Sequence, residues 1–245
     1  MVDRRRRSVR TALVAEALRV ALAGSGSSGP LQIIDIGGGT GGFAVPLAAD
    51  GHSVTVIDPS PDALASLERR ARDESVEDRI RGVLGDTAEL VEVAGEASAD
   101  AVLCHGVLEV VDDPSQALRA MALVLRPGGV FSLLVAQRNA VVLARALAGH
   151  LAEAHEALLD PDGRWGAPDP MPRRFDEAGV CRLLETAGLD VHTVHGVRTF
   201  ADLVPSAFVD SEPGAADALG ELERAASQHP AFRAIATQLH VLATR

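Results

Sequence analysis

The chain contains 245 residues, of which 47% are apolar and 23% charged, and its formal net charge is −11. This length supports one substantial hydrophobic core and is too short for two large ones, so we predict a single domain over residues 1–245. The acidic balance argues against broad affinity for nucleic acid, because a phosphate backbone favours a basic surface, and no run of about twenty uncharged apolar residues could span a membrane.

Strand-like and helix-like segments alternate through the first half of the chain. An amphipathic helix is predicted over residues 8–23, with Leu13, Ala17 and Val20 along its apolar stripe, and a flexible glycine–serine linker closes this N-terminal segment at residue 29. Alternation of this kind is typical of a parallel sheet with helices on both faces. Predicted strands follow at residues 31–36, 53–57, 80–84, 101–105 and 130–136, and predicted helices at 42–50, 61–72 and 114–125.

The pattern loosens after residue 136. We predict a helix over residues 139–151 and a surface insertion at residues 150–174, which is rich in Pro, Gly and Asp from Asp160 onward. A helix over residues 175–187 ends at Gly188, because glycine favours the left-handed position after a helix. A strand at 189–197, a helix at 214–228 and a strand at 235–243 complete an α/β, Rossmann-like sheet of seven strands.

Five glycines, at positions 37, 38, 39, 41 and 42, lie between the first predicted strand and the helix that follows it. Glycine permits positive φ, and without a Cβ it lets backbone N–H groups approach a ligand at the start of a helix. The spacing also satisfies the G-x-G-x-x-G pattern of nicotinamide-dependent dehydrogenases, and a tight turn that binds nothing would have the same sequence. The glycines therefore predict a nucleotide-binding loop without identifying the nucleotide.

Acidic residues stand at the ends of the first three predicted strands. Asp58 follows the second strand, where a carboxylate can accept two hydrogen bonds from a ribose diol; the alternative is that it caps the next helix. Asp35 stands directly before the glycines, where it can orient the loop or meet the ammonium group of an amino-acid ligand. Asp86-Thr87-Ala88 follows the third strand, and Arg126-Pro-Gly-Gly129 forms a turn before the fifth.

This combination resembles the class I S-adenosylmethionine-dependent methyltransferases and favours them over a dehydrogenase. The resemblance implies a methyl-transferring enzyme with S-adenosylmethionine as its cofactor. It also implies the class I fold, a mostly parallel seven-stranded sheet with helices on both faces and a reversed last strand. In that class the segment Asp86-Thr87-Ala88 would present an acid and a backbone amide to adenine.

Further segments are similar to one family within that class. The segments His105–Glu109, Leu125–Gly129 and Gly196–Asp202 resemble the bacterial tRNA 5-carboxymethoxyuridine methyltransferases, and the similarity runs from about Arg10 to Thr244. That family esterifies the carboxylate of a modified wobble uridine in tRNA with S-adenosylmethionine.

The resemblance assigns a position to the residues of the predicted cofactor site. Arg10 would meet the cofactor carboxylate and His105 would lie near the sulfonium, while Gly37 and Gly38 would pack against the methionine part and Asp58 would bind the ribose. The alternatives are that Arg10 is one more solvated charge and that His105 is a hydrogen-bonded histidine at a strand end. The complete predicted set is Arg10, Asp35, Gly37, Gly38, Gly39, Gly41, Asp58, Asp86, Thr87, Ala88 and His105.

A carboxylate acceptor is already ionised at neutral pH, so methyl transfer to it needs no general base. It does need a cation to hold it, and Arg198 is the candidate. The alternatives are that Arg198 caps the end of a strand or pairs with Asp202. We consider three functions: a methyltransferase acting on tRNA, one acting on a carboxylate, oxygen or nitrogen of a small metabolite, and a cofactor-binding module without catalysis. The acidic composition favours the second.

Two cysteines, Cys104 and Cys181, stand far apart and lack metal-like spacing, so we predict two buried free thiols and no bound metal. The basic start of the chain is not followed by a signal-peptide pattern. We therefore expect a protein of the reducing cytoplasm whose partner is its methyl acceptor, either tRNA or a metabolite, and not a membrane.

Overall fold

The computed structural model of the protein describes residues 2–26 and 29–245 and, within them, all side chains except those of residues 2–11, Ser206 and Asp210. The strands are β1 (Gln32–Ile36), β2 (Ser53–Asp58), β3 (Ile80–Leu84), β4 (Ala99–His105), β5 (Leu125–Ala136), β6 (Asp190–Val197) and β7 (Gln238–Thr244). The helices are α1 (Val2–Gly24), α2 (Ala44–Ala49), α3 (Pro61–Asp73), α4 (Leu90–Ala94), α5 (Pro114–Val124), α6 (Arg138–Leu147), α7 (Leu151–Leu159), α8 (Glu177–Thr186), α9 (Ser206–Ser211), α10 (Ala215–Ala226) and α11 (Pro230–Arg233).

Within the described residues, the strands form a seven-stranded sheet in the order β3-β2-β1-β4-β5-β7-β6. β1 pairs in parallel with β2 and with β4, and β2 pairs in parallel with β3. The chain at the end of β7 is antiparallel to β5, because the N–H of Gly128 donates to the carbonyl of Arg245 at 2.8 Å and the N–H of Arg245 donates to that of Gly129 at 3.2 Å. The predicted mostly parallel sheet with a reversed strand is confirmed.

The strand order reverses between β1 and β4, since the chain builds β1, β2 and β3 outward and then returns to place β4 on the other side of β1. Open α/β sheets bind their ligands at such a reversal, outside the carboxyl ends of the strands. Ile36, Asp58 and His105 end β1, β2 and β4. This edge of the sheet is therefore where a binding site is expected.

The chain divides into two compact units, each assembled from several segments. One unit, in which Leu67, Leu103 and Phe131 are fully buried, comprises Arg19–Leu133, Cys181–His192 and Val241–Arg245. The other comprises the residues up to Leu18, Leu134–Val180 and Thr193–His240, and holds a buried apolar cluster of Ala201, Val209 and Leu219. Our description of one domain over residues 1–245, with an N-terminal segment at 1–29 and an insertion at 150–174, stays a prediction.

The buried face of α1 differs from the predicted one. Val14, Leu18 and Leu22 are buried, whereas Val20, which the sequence places on the apolar stripe, is 70% exposed. Both sets of residues repeat at helical spacing, so periodicity alone cannot choose between two adjacent stripes. The helix also begins at Val2 and not at residue 8.

The predicted helix over residues 139–151 is two helices, α6 and α7. Gly149 lies between them with a φ of +83°, the left-handed conformation that commonly follows the end of a helix. The apolar pattern continues across this break, which explains why the sequence predicts one helix. The short helices α4, α9 and α11, which have 5, 6 and 4 residues, are also missed by the sequence pattern.

The irregular segment between α7 and α8 is anchored by a buried ion pair. Asp169, whose side chain is fully buried, accepts hydrogen bonds from Arg174 at 2.7 and 3.0 Å and from the N–H groups of Trp165 and Met171 at 3.2 and 3.0 Å. Burial alone raises the pKa of a carboxyl group, but the hydrogen bonds from Arg174 and the two amides lower the pKa of Asp169. The predicted surface insertion is therefore held together by polar interactions around a buried aspartate.

Cys104 is buried as predicted, whereas the prediction of a buried thiol is wrong for Cys181, which is only partly buried. Desolvation and the neighbouring carboxylates of Glu109 and Asp35 raise the pKa of the Cys104 thiol. None of the helices in the described part of the chain combines the length and the apolar character that crossing a bilayer requires.

Candidate functional site

The glycine turn between β1 and α2 has a backbone conformation that residues other than glycine rarely adopt. Gly37, Gly39 and Gly41 have φ angles of +64°, +55° and +79°. The N–H of Gly37 donates to the carbonyl of Ile57 at 2.8 Å, which fixes the turn to the end of β2. A Cβ on Gly37 would overlap the side chain of Val107, so the turn also packs tightly against the segment after β4.

We expect Gly37→Ala to lower the free energy of unfolding by about 2 kcal/mol, because the added Cβ meets Val107 in an overpacked position with positive φ. Gly42→Ala is the matched control in the same turn, since a Cβ there has no atom within 4 Å and its φ is not positive. Urea unfolding of the two variants measures the difference. Equal losses would contradict the close approach to Val107.

Asp58 joins the glycine turn to the loop that begins α3. One carboxylate oxygen accepts a hydrogen bond from the N–H of Gly39 at 2.9 Å, and the other accepts one from the N–H of Ser60 at 2.9 Å. The side chain of Ser60, and not that of Asp58, caps α3 by accepting from the N–H of Ala63 at 3.2 Å. Asp58 is 93% buried yet keeps further acceptor capacity on both oxygens, as a site for a diol requires.

Asp35 lies behind the glycine turn at the end of β1. Its carboxyl group approaches Gly38 so closely that a Cβ on this glycine would overlap it. Burial, together with the neighbouring charge of Asp58, raises the pKa of Asp35 to about 7. The two acids of the site therefore differ in environment, because Asp58 is held by backbone amides and Asp35 is desolvated.

A cavity of about 560 Å³ opens beside the glycine turn at the carboxyl ends of the strands. Its volume falls within the usual range for a cofactor or a drug-sized molecule. Five residues of the predicted set line it: Gly37, Asp58, Asp86, Thr87 and Ala88. The structure thus brings the glycine turn, the acid after β2 and the segment after β3 to one cavity.

The segment after β4 forms a wall of this cavity that the sequence did not identify. Val107, Val110, Val111, Asp112 and Gln116 line it, and the valines give it an apolar surface suited to a flat ring. Asp86 orders the segment after β3, because its carboxylate accepts a hydrogen bond from the N–H of Ala88 at 2.7 Å. The cavity is therefore lined by apolar side chains together with several acids.

Six other predicted residues, all with described side chains or backbone, do not line this cavity: Asp35, Gly38, Gly39, Gly41, His105 and Arg198. His105 lies at the end of β4, with its Nε2 2.9 Å from Oγ of Ser132 and its ring in edge contact with Phe43 at 4.6 Å. The side chain of Arg10 lies outside the described residues. Arg198 forms an ion pair with Asp202, which was one of the two alternative roles predicted for this arginine. The positions of these three residues relative to a ligand stay predictions.

Metal-ligating side chains do not gather elsewhere in the described chain. No group of three or more His, Cys, Asp or Glu residues among the described ones has the proximity that a metal ion needs. The prediction that no metal is bound stays a prediction. The chemistry of the site is that of the cavity itself, which is lined by a glycine of the turn, by the carboxylate of Asp58 and by apolar side chains.

Comparison with known proteins agrees with this geometry. Residues 34–133 match a family model described as a methyltransferase domain. The tRNA 5-carboxymethoxyuridine methyltransferase of Escherichia coli (strain K12) is 30% identical over 215 residues, which cover 88% of this chain and 80% of the relative. The ubiquinone biosynthesis O-methyltransferase of Xanthomonas campestris pv. campestris (strain B100) is 33% identical over 183 residues, which cover 74% of this chain and 69% of the relative.

Solved structures share the fold. Magnesium protoporphyrin IX methyltransferase from Synechocystis PCC 6803, with bound S-adenosylhomocysteine, superposes with a TM-score of 0.65 at 17% identity, over 100% of this chain and 87% of that one. The chain belongs to the class I S-adenosylmethionine-dependent methyltransferases. It is accordingly an enzyme that uses S-adenosylmethionine, and the predicted cofactor is confirmed.

Proposed function

We propose that this enzyme methylates the carboxylate of a modified wobble uridine, 5-carboxymethoxyuridine, in tRNA. The observation that carries the proposal is the similarity to the tRNA 5-carboxymethoxyuridine methyltransferase of Escherichia coli (strain K12), which extends over 88% of the chain and therefore well beyond the shared cofactor-binding half. The segments His105–Glu109 and Gly196–Asp202 lie within it.

The cavity beside the glycine turn is the proposed cofactor site, and its residues fit S-adenosylmethionine. Asp58 would accept hydrogen bonds from the ribose diol, and the turn at Gly37, where a Cβ would fill the space, would receive the methionine part. Thr87 and Ala88 would meet the adenine, whose ring would lie against Val107 and its neighbouring valines. S-adenosylmethionine, when bound, supplies an electrophilic methyl group on its sulfonium.

Protein groups at the acceptor need to bind and orient it but not to deprotonate it. A carboxylate is ionised at neutral pH, so its oxygen can attack a methyl group without a base. Holding acceptor and donor in line can contribute on the order of 7–11 kcal/mol to lowering the barrier. We assign the cation that holds the acceptor carboxylate to Arg198, whose planar guanidinium matches two carboxylate oxygens.

A small-molecule acceptor is the second candidate. It is favoured by the similarity to the ubiquinone biosynthesis O-methyltransferase of Xanthomonas campestris pv. campestris (strain B100), and by the net charge of −11, which repels a polyanion such as tRNA. With either acceptor we place the enzyme in the cytoplasm, in keeping with the free thiol of Cys104.

A transfer assay with radiolabelled S-adenosylmethionine separates the two candidates. The enzyme is incubated with tRNA from a strain that lacks this gene and, in parallel, with a small-molecule extract of the same strain. We expect label in tRNA that is lost on RNase treatment and on mild alkaline hydrolysis, since the product is an ester. Label confined to the small-molecule fraction, or wobble nucleosides unchanged in the deletion strain, would contradict the tRNA proposal.

A further inference from the structure

Arg198 has a backbone conformation that a bulky side chain rarely adopts. Its φ is +62°, in the left-handed region, which among the non-glycine residues that the structure describes it shares only with Ser75 and Ala97. Such a conformation costs energy, and it persists only where the surroundings determine it; residues of this kind concentrate at functional sites. The residues around Arg198 must therefore hold its backbone in this conformation.

The turn after Arg198 is closed by a buried carboxylate. Three consecutive N–H groups, those of Thr199, Phe200 and Ala201, donate to the carboxylate of Glu223 at 2.9, 2.8 and 2.6 Å. Glu223 is part of α10, and it is 2% exposed. A charge this deeply buried is tolerated because the three amides replace its hydration, so the turn and the acid hold each other in place.

Two further residues hold Arg198 itself. Oγ1 of Thr237 lies 3.0 Å from the carbonyl oxygen of Arg198 and 2.8 Å from Oδ2 of Asp202, and its single proton bonds to one of them at a time. The other oxygen of Asp202 accepts from Nε and Nη2 of Arg198. The Nη1 group has no hydrogen bond to any described residue, and the side chain is 31% exposed.

We infer that Glu223, Asp202 and Thr237 are positioning residues, which hold Arg198 so that the open Nη1 edge of its guanidinium meets the carboxylate of the methyl acceptor. The inference rests on the proposed function, in which Arg198 binds that carboxylate. A surface ion pair with Asp202 alone needs neither a strained backbone nor a buried acid behind it, because exposed pairs form readily between ordinary conformations. The three hydrogen bonds from the turn to the buried carboxylate of Glu223 are explained if they serve to keep the guanidinium of Arg198 in one orientation.

The first test replaces the buried acid. Glu223→Gln keeps the shape of the side chain but replaces one carboxylate oxygen by an N–H₂ group. This group is a donor and must lie against at least one backbone N–H that also donates, so at least one of the three hydrogen bonds is lost. We expect kcat/KM for undermethylated tRNA to fall by about tenfold or more, because misplaced orienting groups reduce rates steeply, while KM for S-adenosylmethionine stays unchanged. Glu221→Gln is the matched control, since Glu221 is an exposed acid on the same helix.

The second test separates positioning from folding. Glycine adopts a φ of +62° without strain, so Arg198→Gly should melt at or above the temperature of the wild type while kcat/KM for the tRNA falls at least as far as in Glu223→Gln. Millimolar guanidinium should restore part of the lost activity by occupying the vacated place. An arginine with a purely structural role would instead give a lower melting temperature, an unchanged kcat/KM for tRNA and no rescue.

The wild type distinguishes the two ways in which the inference can fail. If the wild type methylates tRNA but either variant keeps its kcat/KM for tRNA, the positioning role is wrong and the proposed function stands. If the wild type transfers no methyl group to a carboxylate of tRNA, the proposed function is wrong and the inference falls with it. Reduced kcat/KM in both variants, with rescue and with a normal Glu221→Gln control, supports it.

Discussion

Replacing Asp58 by alanine should raise the dissociation constant for S-adenosylmethionine by more than about a hundredfold. Two hydrogen bonds from a ribose diol to a carboxylate contribute roughly 1.5–3 kcal/mol each, and the substitution removes both. It also leaves the N–H groups of Gly39 and Ser60 without their acceptor, so the glycine turn is no longer joined to the loop before α3. Isothermal titration with S-adenosylmethionine and with S-adenosylhomocysteine measures the loss, which should be similar for both because they share the ribose.

A second acid in the same region provides the comparison for Asp58. Asp73 is exposed at the end of α3, so Asp73→Ala changes the net charge equally without touching the cavity. We expect its affinity for the cofactor to match that of the wild type. Thermal unfolding without ligand checks that Asp58→Ala is folded. A folded Asp58→Ala variant with wild-type affinity would show that the ribose does not bind at this carboxylate.

The contribution of Asp35 to the stability of the folded protein should decrease as the pH rises from about 4 to about 7. Its pKa is raised from 3.8 to about 7 in the folded protein, so between these values the folded state binds a proton that the unfolded state has released. Stability falls with pH wherever the folded state binds more protons, by about 1.4 kcal/mol per pH unit for one group. The full change is on the order of 4 kcal/mol, and above pH 7 no further loss comes from this residue.

Asp35→Asn isolates this contribution, because the amide has nearly the shape of the protonated acid and does not titrate. Urea unfolding at pH 5 and at pH 8, without cofactor, should show the wild type losing about 3 kcal/mol more than the variant over this interval. At pH 8 the variant should be the more stable of the two. Parallel pH profiles for the two proteins would mean that Asp35 is ionised in the folded state and that burial does not control it.

The sequence was sufficient for the parts of the site that follow from strand ends. Asp58 and Gly37 could be predicted because a parallel sheet brings the ends of β1 and β2 to one edge, and because glycine spacing reports where the backbone must approach a ligand. The adjacent wall at Val107 and Val110 could not be predicted, because the sequence pattern of two valines in a short segment does not distinguish a loop that lines a cavity from a segment of the hydrophobic core. Which loop folds over a cavity is decided by tertiary packing.

The surroundings of Arg198 show a second limit. An arginine in a left-handed conformation leaves no mark in the sequence, whereas a left-handed glycine does. Glu223 reads as an ordinary polar position of a helix, and the three amides that it accepts lie 22 to 24 residues earlier in the chain. The buried ion pair of Asp169 could not be predicted for the same reason. This residue is a single acid in a polar segment, and its burial depends on how that segment folds around it.

The position of β7 has a consequence for how the protein is made. This strand follows the other six in the chain but lies between β5 and β6 in the sheet. During synthesis β5 and β6 are made first, and they must remain unpaired with each other until residues 238–244 are available to pair between them. The nascent chain therefore exposes two strand edges late in translation, and we expect synonymous codons that slow elongation just before residue 238 to lower the yield of folded enzyme.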